Sequence, residues 1–563
     1  MKKILLLSFT ILPFICKSQT FDWAEQVGST SYDILFCIYN DNGGNIYTAG
    51  YIEGPADLDP GTGMQIGGGS VADIFIQKLD PNKNLIWAKT ITGPSNQYAY
   101  GLCLDGAGNI LLTGGFSGIA DFDPGAGTYT LSSPGGGTDI FVLKLDPNGN
   151  FIWAKKMGSS GGANQNGFAI TNDASNNVLV TGSFDGTMDF DPGSGIFNMT
   201  SAGQVDIFVL KLNSSGAFLW AKSMGSFYDD HGYSIKTDPA GNVITTGRFM
   251  MQTDFDPGPS GFPLGIGTPN TDINMFIQKL DPSGNFIWAR DYNLISNAGR
   301  GLYVNNLGEI FVTGNTGGSP DFDHGPATVY LPNAGANDIF ALKLDASGNF
   351  VWANSFGGPG HDFGQAIDVN ASGEVFITGA FSNTADFLPG PGTYTLSSKG
   401  MYDVFTLKLN ASGNFLWAGS NGGVSDDYGY CIKADNTNNI YAGGYFQNSM
   451  DMDPGPGITT FTSAGLFDAF MIKFNPSVMN IMESSMNNQT DIYPNPTNEK
   501  LKVNSNMNIE SISIMDVFGK TILLFENINS NSFEINTTSL PQGVYFAAIK
   551  GKEKISIKEF VKQ

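Results

Sequence analysis

Residues 206–222 read DIFVLKLNSSGAFLWAK. An acid opens an apolar run broken only by Lys211, a polar turn follows, and a second apolar run ends in Trp-Ala-Lys. The first run is apolar on both faces, the pattern of a strand covered on both sides. The same arrangement recurs at residues 139–155, where the turn reads Asp146-Pro147-Asn148-Gly149-Asn150. Asp first, Pro next and Gly after fit a type I turn closed by a glycine bulge. Each copy therefore predicts an antiparallel hairpin.

The hairpin belongs to a longer unit. Upstream, residues 168–171 form a short strand, residues 173–177 a turn, and residues 178–184 a second strand containing Thr181-Gly182. A polar, Gly-rich segment connects this strand to the hairpin, which makes the unit a four-stranded meander. All seven Trp sit in Trp-Ala pairs, at Trp23, Trp87, Trp153, Trp220, Trp288, Trp352 and Trp417. The acid before the third strand also occurs seven times, at Asp73, Asp139, Asp206, Asp272, Asp338, Asp403 and Asp468. Two markers sharing a period of about 65 residues define a repeat, and repeats are read before local structure. Four-stranded units stacked radially make a β-propeller. The last unit ends near Phe474 without a Trp-Ala strand, while residues 21–24 are an orphan Trp-Ala strand at the other end. Pairing the two orphans closes a ring of seven blades. The predicted fold is thus all-β: a seven-bladed propeller over residues 21–475, with the N-terminal strand closing the last blade.

These units resemble SBBP-type β-propeller repeats of secreted bacterial proteins. The resemblance rests on the Asp-apolar-Phe start, the Lys-Leu-Asp-Pro-x-Gly-Asn turn, the Trp-Ala strand, the Asp-x-x-Gly-Asn turn and the Thr-Gly end. It implies a fold and no single chemistry.

Residues 476–490 are rich in Met and Asn without periodicity and read as a linker. From residue 491 glycine becomes rare, and short alternating runs predict a small β-sandwich. Residues 492–497 (IYPNPT), 516–520 (DVFGK) and 540–545 (LPQGVY) resemble, in order, the C-terminal sorting domain of type IX secretion in Bacteroidota. That resemblance implies handling of residues 491–563 by the type IX machinery, export across the outer membrane, removal of the tail, and surface attachment or release. At the other end, Lys2 and Lys3 precede an apolar run too short to span a bilayer. Residues 1–18 therefore read as a signal peptide. Lipidation at Cys16 fits less well, because bulky Pro13-Phe14-Ile15 precede it. The expected location of the mature chain is extracellular or on the outer cell surface.

The chain has 563 residues and a net charge of −23. The tail holds eight Lys and eight acids, and the first 20 residues hold three Lys and no acid. Residues 21–490 are left with 18 basic and 44 acidic residues, a net −26. This balance argues against nucleic acid or an anionic membrane as partner. Three Cys outside the signal peptide, Cys37, Cys103 and Cys431, are too few for a disulfide framework and read as buried thiols.

Candidate metal ligands are the paired carboxylates between the second and third strands: Asp57 with Asp59, Asp121 with Asp123, Asp189 with Asp191, Asp254 with Asp256, Asp321 with Asp323, and Asp451 with Asp453. Carboxylates two apart in a Gly-rich turn can face a hard cation, and calcium is the natural extracellular choice. The alternative is turn capping, with Asp bonding its own backbone while Pro and Gly set the dihedrals. The sixth copy, Asp386-Phe387-Leu388, lacks the second carboxylate. Two His–Asp neighbours, His231 beside Asp230 and His361 beside Asp362, invite a general-base reading. His324 replaces a turn proline. No cofactor other than calcium is suggested, and no catalytic residue is assigned. The expectation is a non-catalytic scaffold that binds an extracellular glycan, protein or matrix ligand through the face carrying the loops after strands two and four. A propeller-borne polysaccharide lyase or glycosidase, and a passive surface-layer component, are the alternatives.

Overall fold

The computed structural model describes residues 19–563 except 160, 163, 266–272, 293–297, 391, 477–489, 516–520 and 552–554. The signal-peptide reading, the Asp272 marker, nearly all of the linker and the 516–520 motif lie outside these residues. The chain divides into two compact units, Phe21–Asn475 and one that contains Pro476–Gln563.

The larger unit is all-β and propeller-like. Among the described residues it contains seven antiparallel four-strand arrays, one of them extended to six strands. The third repeat is typical: Asn166–Asn172, Val178–Asp189, Asn198–Leu212 and Phe218–Met224 lie side by side in chain order. Its third strand is buried on both faces from Asp206 to Leu212, because hydrophobic clusters lie between adjacent sheets. One such cluster combines Ile74 and Ile76 of the first repeat with Leu112, Phe141 and Leu143 of the second. The first strands contact one another in sequence, from Asp33–Asn40 and Gln97–Leu104 round to Tyr428–Ala434, which contacts Asp33–Asn40 again.

The strand Gln19–Val27 joins Asp468–Pro476 in the sheet of Tyr428–Ala434 and Ile440–Phe446. Its end shows the close approach found in other repeats. A Cβ on Gly28 would lie 1.9 Å from the Asp468 carboxylate, as one on Gly225 would lie 2.0 Å from that of Asp206. Glycine is required there because the acid before the third strand occupies the space.

The hairpin turn forms as its sequence dictates. Gly149 N–H donates to the Asp146 carbonyl at 2.9 Å, with Gly149 at φ +76°. The Asp146 carboxylate also accepts from the backbone amides of Asn148 and Asn150 and from the Asn150 side chain, at 2.8–2.9 Å. The ladder shifts register between Lys144 and Leu145, the bulge that the glycine allows.

These turns join neighbouring repeats. Trp153 Nε1 and Lys144 Nζ both donate to the Ser214 carbonyl of the next repeat, each at 3.3 Å. Trp220 and Lys211 converge likewise on Pro282, at 3.2 and 3.0 Å. Each lysine is also tied within its own repeat, Lys144 to Asp105 at 2.8 Å and Lys211 to Asp173 at 2.9 Å. Lys473 of the last repeat reaches the Pro81 carbonyl of the first at 3.5 Å.

The smaller unit has two sheets on one core. Thr490–Tyr493, Lys500–Ile509 and Ser530–Asn536 form one sheet; Ser511–Met515, Thr521–Phe525, Gly543–Lys550 and Ile555–Lys562 form the other. Leu501, Val503 and Ile535 meet Ile512, Ile514 and Ile549 between them. Thr497 N–H donates to the Val561 carbonyl at 2.8 Å, which ties the IYPNPT motif to the last strand.

Lys211→Met should destabilise the larger unit by about 3 kcal/mol, because it strands the buried Asp173 carboxylate. Trp220→Phe should cost about 1 kcal/mol, one neutral hydrogen bond. Urea unfolding of both variants checks the ranking, and an equal cost would contradict the role given to the lysine.

Candidate functional site

The loops after the second and fourth strands share one face of the larger unit. The segments between the second and third strands are themselves short hairpins, such as Gly118–Asp121 with Thr130–Ser133, where sequence suggested irregular loops. Several reach back to the preceding repeat: Asp121 pairs with Thr92, Asp189 with Gly158, Asp386 with Gly357 and Asp451 with Gly422. The residue after the first acid is buried in the core: Phe122, Phe190, Phe255, Phe322 and Phe387, with Leu58 and Met452 in the remaining copies.

All six carboxylate pairs sit in these hairpins, and both members of each pair are occupied by their own turn. The first acid spans the hairpin. Asp121 Oδ1 accepts from the backbone amides of Asp123, at 3.1 Å, and Tyr129, at 2.8 Å. Asp57, Asp189, Asp254, Asp321 and Asp451 accept the equivalent two amides. The second acid caps the Pro-Gly turn through the amide two residues on. Asp59 accepts from Gly61, Asp123 from Gly125, Asp191 from Gly193 and Asp256 from Gly258, each at 2.8 Å. Asp323 accepts from Gly325, and Asp453 from Gly455, at 2.7 Å. Asp386 makes the two bonds of a first acid, to Leu388 at 3.0 Å and Tyr394 at 2.8 Å, without a second acid beside it.

In this geometry the carboxylates make the bonds that the turn-capping alternative describes. Asp59, Asp123, Asp191, Asp256, Asp323 and Asp453 each turn an oxygen onto a glycine amide of their own loop, as their partners Asp57, Asp121, Asp189, Asp254, Asp321 and Asp451 do onto two other amides. Among the described residues no group of three or more His, Cys, Asp or Glu side chains is arranged to hold a metal ion. Two carboxylates fall short of the six to eight oxygens that calcium takes. Asp57 and Asp59 line a cavity of about 340 Å³ with Glu25, Gln26 and Lys83. Glu25 is pushed up to about 8 by burial, against the pull of Lys83.

Neither His–Asp neighbour forms a dyad. Asp230 is fully buried and accepts from the backbone amides of Ser226 and Met250 at 2.5 and 2.7 Å. His231 instead stacks on Tyr233, 5.6 Å between ring centres. Burial, Arg248 and Arg300 push its pKa down to about 3. Asp362 accepts from Gly358 and Ser382, while His361 Nδ1 faces the Asn337 amide at 3.1 Å. His324 Nε2 meets the Asp291 carbonyl. Cys37, Cys103 and Cys431 are free, buried thiols.

Sequence reasoning did not find what Asp230 and Asp362 do. Each lies beside the acid that opens the third strand of the preceding repeat, so the joints bury carboxyl pairs: Asp206 with Asp230, Asp338 with Asp362, Asp403 with Asp427 and Asp468 with Asp33. None of the eight is more than 2% exposed. Burial is the largest cause of their raised pKa values, opposed by backbone amides and, for Asp33, Asp230, Asp338 and Asp427, reinforced by the partner acid. Asp230 reaches about 7, Asp427 about 8, and Asp33, Asp338 and Asp362 about 6. The signal was present in the spacing: an acid 24 residues after the third-strand acid, at Asp230, Asp362 and Asp427.

Residues 491–563 match the family model described as the secretion system C-terminal sorting domain. This domain marks the chain for type IX export to the cell surface or extracellular space. Among the described residues no helix is long and apolar enough to cross a membrane. An uncharacterized WD repeat-containing protein of Acanthamoeba polyphaga mimivirus is 23% identical over 516 residues, 76% of this chain and 36% of the relative. The regulatory protein FlaEY of Caulobacter vibrioides is 24% identical over 143 residues, 25% of this chain and 14% of its own. The chain thus spans about a third or less of either relative. Among solved structures, PorZ, a surface component of the type IX secretion system of Porphyromonas gingivalis, aligns over 97% of this chain and 99% of its own. Its identity is 11% and its TM-score 0.23. A protein titled a putative gluconolactonase aligns over 60% of this chain and 86% of its own, at 10% identity and a TM-score of 0.25.

The carboxylates predict two outcomes. The folded state holds protons on the joint acids that the unfolded chain releases above its ordinary carboxylate range. Stability should therefore fall as pH rises from about 4 to 8, and the thermal midpoint should be higher at pH 5.5 than at pH 8. Turn acids such as Asp80, held low by the Asn84 side chain, act oppositely and only below about pH 4. A midpoint higher at pH 8 would contradict the buried pairs. Separately, Asp121→Ala should cost about 1–2 kcal/mol, and the cost should be the same in calcium and in chelator. A cost that appears only with calcium would make the hairpin a metal site.

Proposed function

We propose that this chain is a non-catalytic binding scaffold presented outside the cell: a closed seven-bladed β-propeller of SBBP type, delivered by a tail that is removed after export. The sorting domain at residues 491–563 carries the outward location. Closure is supported by the strand Gln19–Val27 in the last sheet, the bond from Lys473 to the Pro81 carbonyl, and the Asp468–Asp33 joint. The strand repeats a pairing made within every other unit, and the bond and the joint repeat contacts made between consecutive units elsewhere. A scaffold is favoured over a lyase or glycosidase because the His–Asp neighbours point their acids into joints and away from solvent. The hairpin face, built on rigid sheets, is where variable loops can meet a ligand without cost to the core.

In a host with type IX secretion, the full chain should reach the surface or medium without residues 1–18 and without the tail. The chain ending at residue 490 should stay in the periplasm. Mass spectrometry of cell fractions reads both. Equal export of the shortened chain would remove the basis of the proposal.

A further inference from the structure

The inner strands carry a feature that blade packing does not require. Phe36, Tyr100, Phe168, Tyr233 and Tyr430 occupy one position of the first strand in five repeats and line a cavity of about 190 Å³ at the centre of the array. Their rings form a continuous collar. Centroids are 5.1 Å apart for Tyr430 and Phe36, 5.2 Å for Phe36 and Tyr100, and 5.7 Å for both Tyr100–Phe168 and Phe168–Tyr233. The two remaining repeats place Arg300 and Gln365 there, lining the same cavity. The Arg300 guanidinium sits over Tyr233 at 4.2 Å and extends the collar.

The charge at this point runs against the rest of the molecule. The chain has three Arg, at 248, 290 and 300, and residues 21–490 carry a net −26. Arg300 lines the collar, while Arg248 pairs with His231 across the ladder beside it, and both arginines act on that ring. Arg248 Nε, Arg300 Nε and His231 Nδ1 are buried and have no hydrogen-bond partner among the described residues. Buried donors normally find acceptors. The Arg300 guanidinium, lining the cavity beside an aromatic wall, suits a planar anion, which a guanidinium grips with two parallel hydrogen bonds. The phenol groups of Tyr100, Tyr233 and Tyr430 and the Gln365 amide bring hydroxyl-binding capacity to the same rim. The volume suits a single ring.

We infer that the collar binds an acidic sugar, a pyranose ring resting on the aromatic side chains with its carboxylate on Arg300. The inference rests on the reading of the chain as an exported binding scaffold and adds the ligand class and the place. Arg300 makes the discriminating contact and Arg248 strengthens the local field. Gln365 faces the hydroxyls.

The test is calorimetric titration of the full chain with glucuronate and a short oligouronate. Saturable binding is expected, and it should weaken as salt is raised. Arg300→Gln, which installs the residue that the sixth repeat carries at this position, should weaken binding about tenfold or more. Arg290→Asn removes the same charge on an outer strand, with the residue that the fifth repeat carries there, Asn354, and should leave binding unchanged. Glucose should give no saturable heat. Binding that survives Arg300→Gln, or no uronate binding at all, overturns the inference. Benzoate binding as tightly as glucuronate overturns its sugar half. A glycan and protein panel separates the two readings. A ligand held equally by wild type and Arg300→Gln removes only the collar site, whereas a chain that retains nothing on the panel loses the scaffold reading as well.

Discussion

The joint between neighbouring repeats turns on a buried ammonium group. A lysine taken out of water is costly unless its charge is paired and its donors are used. Here each requirement has its own partner: an acid in the same repeat takes the charge, and a turn carbonyl in the next repeat takes a hydrogen bond. Because the neighbouring Trp donates to the same carbonyl, the relative position of two sheets is fixed at one oxygen atom. Sliding one sheet past the next would leave a buried charge and two donors unmet. The period of the sequence follows from that geometry, since the lysine, the tryptophan and the turn must return together.

The two faces of the array use opposite chemistry. On the tight-turn face a lysine paired within its own repeat donates across to the next. On the hairpin face four of the joints bury paired carboxyl groups, held by backbone amides such as those of Ser226 and Met250. One face is therefore strengthened by charge and the other by protonation. The hairpins cover the second kind of joint, and their buried Phe residues anchor them. A further variation from repeat to repeat lies on the innermost strands, where Arg300 and Gln365 stand in a column of aromatic rings.

The all-β plan was legible because it is local. Turn chemistry at Asp146 and the doubly buried run before it are settled within a dozen residues, and the Trp spacing repeats them. The hairpins were less legible, since their pairing partners lie one repeat back: nothing near Asp121 points to Thr92. The bonds of the second acids, such as Asp191 and Asp453, were not legible, because a sequence shows how many carboxylates a loop has and not which amides they hold. His231 and Asp230 misled through adjacency. On an extended strand, neighbouring side chains leave on opposite sides, so the acid enters the joint while the ring turns to the collar. The collar needed the register of seven strands before its odd members stood out. Asp516 to Lys520, part of the tail motif, adds nothing here because it lies outside the described residues.

Gln26 donates to Asp468 across 442 residues of chain. The strand Gln19–Val27 thus cannot pair until the chain has been made as far as Asp468–Pro476, and their sheet stays incomplete until then. The entropy of joining such distant ends grows only logarithmically with their separation, so the equilibrium is little affected. Time is what changes. Throughout synthesis and transport two open sheet edges persist, and open edges are where chains pair with strangers. Maturation of this protein is therefore a race between one intramolecular strand exchange and all intermolecular ones, decided at the moment the final repeat is delivered.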